Sequence, residues 1–511
     1  MIQIDGNSLS LNDLIEVAFH YTPVSLNDSA RQKVQKSWEW VEKMSQDGDP
    51  VYGINTGFGI FADQRISPAD CAKLSRNLIM SHSVATGEPL AKEIVRAAML
   101  VRANTLSKGH SGVRPLIIQR LLDMLNSDVI PVVPSQGSMG SSGDLGPLSH
   151  LALVLTTDKD DREVDSGFAW FDGKLTTGKQ AMAQAGLERI ILGPKEGLAL
   201  NNGATFSAAI GAICVYQAIS LLDTANLAVA MTLEALEGCS NAFDARIHLA
   251  RGQVGQEYVA GEIRRLTEGS NLIDAAGRVQ DAYSLRCTPQ VQGAAWETIQ
   301  FVKSVLEKEL NAATDNPLLF DPGIALSGGN FHGEPIGLVM DYLGIALSEI
   351  GAISERRVFR LTDGKLNGGL PNMLVDNERA AGLHSGLMMP QYTAASLVLE
   401  NQTLATPDSV HSLPTSGEQE DHNANSMTAA RHAMQILTNV RKIIAIELFT
   451  AARAMDLRLR KSADRMMSTP IHHAYETIRQ VVPYHADDRC WGLEIDEVEK
   501  LIIENKMIQP V

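Results

Sequence analysis

The sequence is poor in positive charge, and this scarcity excludes one class of partner. Its 511 residues include 44 Lys and Arg against 60 Asp and Glu, which gives a net charge of −16. A chain of that sign repels polyanions and offers no basic patch for a phosphate backbone. We therefore expect no nucleic-acid partner. Hydrophobic residues make up 44% of the chain, which is typical of a globular protein and excludes disorder and collagen-like order.

Cysteines, targeting segments and long apolar runs are also scarce or missing. The five cysteines lie far apart without CxxC spacing, as is typical of reduced thiols in cytoplasmic proteins. The N-terminal residues lack a basic segment followed by an apolar run, and no stretch of about 18 uncharged apolar residues occurs. The sequence therefore predicts a cytoplasmic protein that neither leaves the cell nor spans a membrane. The histidines show no HExxH or zinc-ligand spacing, so we expect no metal site.

Helix signals dominate the middle and C-terminal thirds of the chain. Residues 426–468 contain neither Gly nor Pro, and their apolar side chains recur at helical spacing. By similar patterns, further long helices are predicted at residues 205–237, 296–310 and 335–361. Strand signals are sparse and centre on a small hairpin at residues 168–176, with a type I′ turn. The predicted fold class is mainly α, a long-helix bundle with a small mixed N-terminal domain.

The only plausible domain boundary lies near residues 190–200. There the Gly193-Pro194 pair interrupts the chain before the helical region begins. We therefore predict an N-terminal domain at residues 1–195 and a central and C-terminal long-helix bundle at residues 196–511.

The most unusual segment is residues 137–148, a run of glycine and serine with the sequence GSMGSSGDLGPL. A flexible linker is one interpretation, but the run leads directly into apolar residues, which favours tight turns beside a buried helix start. A phosphate-binding loop is another, although the Gly-Lys-Ser/Thr ending of a Walker A motif is absent. A third is chemical: the amide nitrogen of Gly143 attacks the carbonyl carbon of Ser141, Ser142 dehydrates, and two waters leave. The product is a 4-methylidene-imidazol-5-one (MIO) ring, an electrophile built from backbone.

Several motifs together resemble the aromatic amino-acid ammonia-lyases and aminomutases, which include the histidine, phenylalanine and tyrosine ammonia-lyases. Besides residues 137–148, the family's landmarks occur in order: YGINTGFG at 52–59, KEGLALNNG at 195–203, QDAYSLRC at 280–287, DNP at 315–317, GGNFH at 328–332, and PTS followed by QEDH within 414–422. The resemblance spans nearly the whole chain. It implies a mainly helical fold with a ring-bearing N-terminal domain and a homotetramer whose active sites combine residues from three subunits. It also implies that Ser141-Ser142-Gly143 forms the MIO cofactor, although the family usually has Ala where this chain has Ser141.

The resemblance also implies roles for individual residues. Tyr52, by itself a half-buried packing residue, matches the tyrosine that removes the β-proton of the substrate, which requires a pKa well below 10. Arg286, otherwise a candidate for a buried ion pair, matches the clamp for the substrate carboxylate. Tyr283, Asn202 and Gln280 would form hydrogen bonds around the ring and the substrate, with Tyr283 counted among the catalytic residues.

Two side chains are expected to contact the aromatic ring of the substrate. Phe331 would form an apolar wall, although a Phe beside glycines could equally be a core residue. His82 lies where the family places a residue facing the substrate ring, whereas a lone histidine on an apolar helix is more often structural. Both are therefore candidate substrate-binding residues.

An acidic cluster at residues 418–422 forms the predicted selectivity loop. Acidic residues here could simply compensate the dipole of the following helix. The family pattern instead makes Glu418, Glu420 and His422 substrate-binding residues, and Glu420 matches the glutamate that orients the imidazole in histidine ammonia-lyases. The longer spacing through residues 423–425 is closer to the phenylalanine-lyase pattern. We expect this longer loop to swing Glu420 away and bring His422 forward.

The sequence predicts an ammonia-lyase that converts an aromatic L-amino acid to an aryl-acrylate. With His422 forward, we rank L-tyrosine first, L-histidine second and L-phenylalanine third, because a phenyl ring would leave buried polar groups unpaired at about 1–3 kcal/mol each. An aminomutase would use the same residues, and a ring-free eliminase acting on a histidine betaine would not need the MIO ring. A catalytically inactive helical scaffold is the alternative from outside the enzymes.

Overall fold

The computed structural model describes residues 1–46, 49–417, 419–461 and 464–508, and most of them are helical. The α-helices are α1 (Leu11–Phe19), α2 (Asp28–Gln46), α3 (Cys71–His82), α4 (Lys92–Ser107), α5 (Pro115–Asn126), α6 (Leu145–Leu155), α7 (Gly178–Gln184), α8 (Glu196–Asn201), α9 (Thr205–Ala235), α10 (Ala245–Arg251), α11 (Val254–Thr267), α12 (Tyr283–Arg286), α13 (Thr288–Glu309), α14 (Glu334–Thr362), α15 (Met388–Leu404), α16 (Ser426–Lys461), α17 (Thr469–Val481) and α18 (Trp491–Ile503). The strands are short: β1 (Ile2–Ile4), β2 (Val24–Leu26), β3 (Thr86–Pro89), β4 (Ile130–Pro131), β5 (Pro134–Gln136), β6 (Phe168–Phe171), β7 (Lys174–Thr177), β8 (Leu318–Phe320) and β9 (Ile324–Leu326). The predicted mainly α fold is confirmed.

The long helices follow the apolar periodicity of the sequence. Helices α9 and α14 nearly coincide with their predicted ranges, and α16 begins at Ser426 as predicted. Along α16, Leu437, Ile444 and Leu448 are fully buried, so the apolar stripe forms the packed face of this helix. Helix α13 begins at Thr288, earlier than the predicted residue 296. Pro289 does not prevent this earlier start, because a proline in the first turn costs no helical hydrogen bond.

The predicted hairpin is present and belongs to a small sheet. Strands β6 and β7 pair antiparallel through a two-residue turn, in which Asp172 and Gly173 have φ values of 49° and 71°. Both values are positive, as a type I′ turn requires. Strand β4 pairs antiparallel with β6 and completes a three-stranded sheet in the order β4-β6-β7.

The chain forms two compact units, each made of three separate stretches of sequence. Unit 1 comprises Met1–Cys214, Lys303–Asp341 and Pro407–Arg431, and unit 2 comprises Val215–Val302, Tyr342–Thr406 and His432–Val511. These units are groups of residues in dense mutual contact. The division at residues 195/196 into an N-terminal domain and a bundle stays a prediction.

In unit 2, a buried carboxylate connects three long helices. Glu447 of α16 accepts two hydrogen bonds from the guanidinium of Arg357 in α14, at 2.5 and 2.7 Å. It also accepts the hydroxyls of Thr232 in α9 at 2.9 Å and Ser354 in α14 at 2.6 Å. Neither charged side chain is exposed. Removing one partner would leave an uncompensated buried charge, which costs about 3–5 kcal/mol.

In unit 1, the glycine-rich run ends at the start of a buried helix, as the sequence predicts. Helix α6 begins at Leu145, and Leu148, Leu151 and Leu155 on it are fully buried. Helices α3 and α8 both pack against α6. These three helices therefore pack together, and their packing positions the loops at their ends.

Two helices in the described part of the chain, α9 and α14, are long and apolar enough to cross a membrane by length and composition alone. Their most apolar windows are already 78% and 67% buried within the protein. A core helix of this length passes the same test, so these two helices are weak evidence for membrane insertion.

Candidate active site

A large cavity in unit 1 brings together many of the predicted site residues. Its volume is about 1580 Å³. The predicted residues that line it are Tyr52, His82, Ser141, Ser142, Asn202, Phe331, Glu420 and His422. These residues come from all three stretches of sequence that make up unit 1, and the fold brings them together around one cavity.

The predicted cyclising triplet lies in a turn that only glycine allows at its third position. Gly143 has a φ of +74°, and its backbone pairs with that of Gly203. A Cβ atom on Gly143 would lie 2.0 Å from the carbonyl carbon of Gly203. Two donors, Nδ2 of Asn202 at 3.0 Å and the amide of Gly203 at 3.2 Å, hold the carbonyl oxygen of Ser142. This tight, anchored turn fits the formation of the MIO ring from residues 141–143.

The residue that follows the triplet, Asp144, anchors the same turn through its buried carboxylate. Asp144 is fully buried and accepts the amide and hydroxyl of Ser207 at 2.8 and 2.9 Å and the hydroxyl of Ser138 at 2.7 Å. Burial raises the pKa of Asp144 above its ordinary value, and the donated hydrogen bonds oppose that rise. Ser138 and Ser207 therefore fix the C-terminal side of the triplet to the start of α9.

Arg102, which was not among the predicted site residues, holds the backbone of Asn202 in place. It is fully buried in α4, and its two terminal nitrogens both donate to the carbonyl oxygen of Asn202, one of them at 2.9 Å. Burial lowers the pKa of Arg102 to about 10, and the nearby carboxylates of Asp315 and Asp144 oppose that fall. In the sequence, Arg102 is one of four charged residues on α4, with Lys92, Glu93 and Arg96, and nothing in that local pattern distinguishes it from a purely structural arginine.

Glu420 faces the cyclising triplet directly. Its Oε2 accepts the hydroxyl of Ser141 at 2.8 Å, and its Oε1 accepts the hydroxyl of Ser142 at 2.5 Å. The backbone of Glu420 also pairs antiparallel with that of Thr415. The expectation that the longer loop swings Glu420 away is therefore wrong. Glu418, also predicted as substrate-binding, lies outside the described residues.

His422 does not move forward in place of Glu420. Its ring lies on the ring of His332, with the centroids 5.8 Å apart and the planes 11° from parallel. Nε2 of His332 donates to the carbonyl oxygen of His422 at 3.2 Å. His422 lines the cavity as part of this stacked pair, while Glu420 contacts the triplet.

Tyr52 is half-buried in the cavity wall, with its ring edge-to-face against Phe58 at 6.5 Å. Its hydroxyl oxygen accepts a long hydrogen bond of 3.5 Å from the amide of Gly59. Burial raises the pKa of Tyr52 above 10, the Gly59 amide opposes the rise, and the negative charge of Glu420 adds to it. The expected lowering of this pKa is therefore wrong for the surroundings that the chain itself provides.

His82 lies at the end of α3, where its Nδ1 is 3.0 Å from the hydroxyl oxygen of Ser81. Burial lowers the pKa of His82, and a backbone hydrogen bond at Leu78 and the charge of Glu420 oppose that fall. The lowered pKa favours the neutral imidazole, which donates a hydrogen bond from one ring nitrogen and accepts one at the other.

Three predicted residues belong to unit 2 and do not line the cavity. Gln280 is exposed, and Tyr283 is 70% exposed. The guanidinium of Arg286 lies over the ring of Tyr283, 4.8 Å from its centroid, and its Nε is buried without a hydrogen-bond partner among the residues that the structure describes. Among the described residues, no group of three or more His, Cys, Asp or Glu side chains is arranged to hold a metal ion.

Comparison with known proteins identifies the family. The model of the aromatic amino acid lyase family matches residues 9–480. A histidine ammonia-lyase of Caldanaerobacter subterraneus is 46% identical over 97% of this chain and 95% of its own. The crystal structure of histidine ammonia-lyase from Trypanosoma cruzi is 38% identical, with a TM-score of 0.90 over 99% of this chain and 94% of that one. A tyrosine aminomutase from Streptomyces globisporus is 34% identical, with a TM-score of 0.92 over 99% of this chain and 97% of its own. The chain thus belongs to the aromatic amino acid lyase family and is a carbon–nitrogen lyase.

Proposed function

We propose that this ammonia-lyase acts on L-histidine and releases ammonia and urocanate. The observation that carries the proposal is the position of Glu420, whose carboxylate lies within hydrogen-bond distance of Ser141 and Ser142. A carboxylate at this place can accept the N–H of an imidazole on a substrate that reacts at the triplet. The relatives at 46% identity, which are named histidine ammonia-lyases, support the same substrate.

This proposal replaces the ranking of L-tyrosine first. That ranking depended on Glu420 leaving the cavity and His422 taking its place, and the structure has the opposite arrangement. L-Phenylalanine stays the weakest candidate, because its ring has no N–H or O–H group to pair with Glu420. Leaving this half-buried carboxylate without a donor once the substrate covers it costs binding free energy in the complex.

We propose the MIO ring as the cofactor, formed by the chain from Ser141, Ser142 and Gly143. Once formed, the ring supplies an electrophilic carbon derived from the side chain of Ser142. The carbonyl oxygen of Ser142 becomes the ring oxygen, and it already accepts hydrogen bonds from Asn202 and Gly203. Donors fixed in this way stabilise negative charge that develops on the oxygen during the reaction.

The remaining roles complete the proposal. Tyr52 removes the β-proton, and its raised pKa makes the phenolate a strong base once it has formed. Arg286 binds the substrate carboxylate with its two-donor fork, and Tyr283 and Gln280 form hydrogen bonds beside it. In a homotetramer with active sites shared among three subunits, these residues are supplied through assembly. The cavity of unit 1 then provides the ring, the base and the imidazole site.

Turnover of three amino acids by the purified full-length chain tests the proposal. We expect kcat/KM for L-histidine to exceed that for L-tyrosine and L-phenylalanine at least tenfold, or about 1.4 kcal/mol. A preference for tyrosine would overturn the choice of substrate. A β-amino acid product, found by mass spectrometry, would instead indicate an aminomutase.

Intact-protein mass tests the cofactor separately. We expect a deficit of two waters in the wild-type chain, and the Ser142→Ala chain should lack both the deficit and nearly all turnover while staying folded. Full turnover by Ser142→Ala would show that the reaction does not use the ring. A wild-type chain with neither deficit nor turnover would favour the inactive scaffold.

A further inference from the structure

The hydroxyl of Ser141 makes a contact that the alanine usual at this position in the family cannot make. Ser141 is 6% exposed, and its Oγ donates to Oε2 of Glu420 at 2.8 Å. Another hydroxyl near the same oxygen, that of Thr415, lies at a long 3.4 Å. Ser141 therefore provides the short bond to this carboxylate oxygen.

Ring formation would remove the hydroxyl of Ser142 and keep the hydroxyl of Ser141, so the two serines differ in what they can then donate to Glu420. The Gly143 nitrogen bonds to the carbonyl carbon of Ser141, and that carbonyl oxygen leaves as water with the amide protons of Gly143 and Ser142, so that a carbon–nitrogen double bond forms between Ser141 and the Ser142 nitrogen. Ser142 then loses its Cα proton and its Oγ as a second water, which creates the carbon–carbon double bond. After both steps the partner of Oε1 has gone, while the Oγ of Ser141 is still bonded to its own Cβ and can still donate to Oε2.

We propose that Ser141 is a positioning residue that holds Glu420 by Oε2 and so leaves Oε1 directed at the imidazole N–H of the substrate. This inference rests on the proposed L-histidine substrate. A glutamate side chain has several rotatable bonds, and fixing them costs up to about 2 kcal/mol. A hydroxyl that fixes the carboxylate before the substrate binds removes part of that cost from the binding step. The effect should appear only with ligands that carry an imidazole.

The Ser141→Ala chain tests this role, with Ser141→Thr as the matched variant that keeps the hydroxyl. Ring formation is checked first by intact-protein mass, and all three chains should show the deficit of two waters. Titration calorimetry then measures binding of urocanate, which has an imidazole ring, and of cinnamate, which has a phenyl ring. We expect Ser141→Ala to weaken urocanate binding about tenfold and cinnamate binding less than twofold. Ser141→Thr should restore most of the urocanate affinity.

Kinetics give a second readout with the same logic. In Ser141→Ala, kcat/KM for L-histidine should fall about tenfold, while the slow turnover of L-phenylalanine should stay within twofold of wild type. Equal losses for both ligands or both substrates would overturn the positioning role, as would unchanged histidine kinetics. Loss of the mass deficit would also overturn it, by placing Ser141 in ring formation. If the wild-type chain itself prefers neither urocanate nor L-histidine, the proposed function fails independently of Ser141.

Discussion

Substitution of Gly143 by alanine should block ring formation without unfolding the chain. The residue has a φ of +74°, and an alanine there costs about 1–2 kcal/mol from its conformation alone. Its Cβ would also lie 2.0 Å from the carbonyl carbon of Gly203, so one backbone must move. That movement weakens the bonds from Gly203 to Ser142 and from Asp144 to Gly203, each contributing about 1 kcal/mol.

The magnitude follows from these contributions. Together they make the reactive turn about 3–4 kcal/mol less favourable, which slows a reaction through that turn by a factor of about 10² to 10³. Intact-protein mass at successive times after synthesis measures the extent of cyclisation. Gly146→Ala is the matched control, because its Cβ would meet the nearest atoms at an ordinary 3.6 Å. A Gly143→Ala chain that shows the full deficit of two waters as fast as the control would refute the reasoning.

Three further predictions concern carboxylates and the phenol. Glu420→Gln should lower kcat/KM for L-histidine about 10- to 150-fold, since hydrogen bonds to charged groups contribute about 1.5–3 kcal/mol; an equal loss with L-phenylalanine would contradict the imidazole contact. Because the charge of Glu420 raises the pKa of Tyr52, the rise of kcat/KM with pH should lie at lower pH in Glu420→Gln than in wild type, and an unmoved profile would exclude that coupling. Burial raises the pKa of Glu234 in unit 2 from 4.5 to about 7. The free energy of unfolding should therefore fall as pH rises from about 4.5 to about 7, because the unfolded chain ionises this carboxyl more easily than the folded protein does. Glu234→Gln should therefore stabilise the chain by up to about 3 kcal/mol above pH 7 and by nothing below pH 4 in urea unfolding; the same gain at both pH values would contradict the titration.

The sequence predicted well the features that depend on local pattern. The apolar spacing of α16 and the glycines around the triplet are both patterns of neighbouring residues. The long helix and the tight turn could therefore be predicted from the sequence. Glu420 was misplaced because its hydrogen bonds with Ser141 and Ser142 connect distant parts of the chain, which spacing alone does not show. The contact between Arg102 and Asn202 joins residues 100 positions apart, and no local pattern predicts such a contact.

The cavity of unit 1 carries a charge arrangement that is incomplete for its proposed substrate. Glu420 brings negative charge beside Tyr52 and the triplet, and among the described residues that line the cavity none is Lys or Arg. A substrate with a carboxylate would meet repulsion there, and the phenol of Tyr52 would keep its proton, as its raised pKa indicates. A cation supplied to this lining would correct both effects, since it attracts the substrate carboxylate and stabilises the phenolate. In the proposed homotetramer, the proposed clamp Arg286 would supply that cation, so we expect binding of the substrate and activation of Tyr52 to depend on the same proposed assembly step.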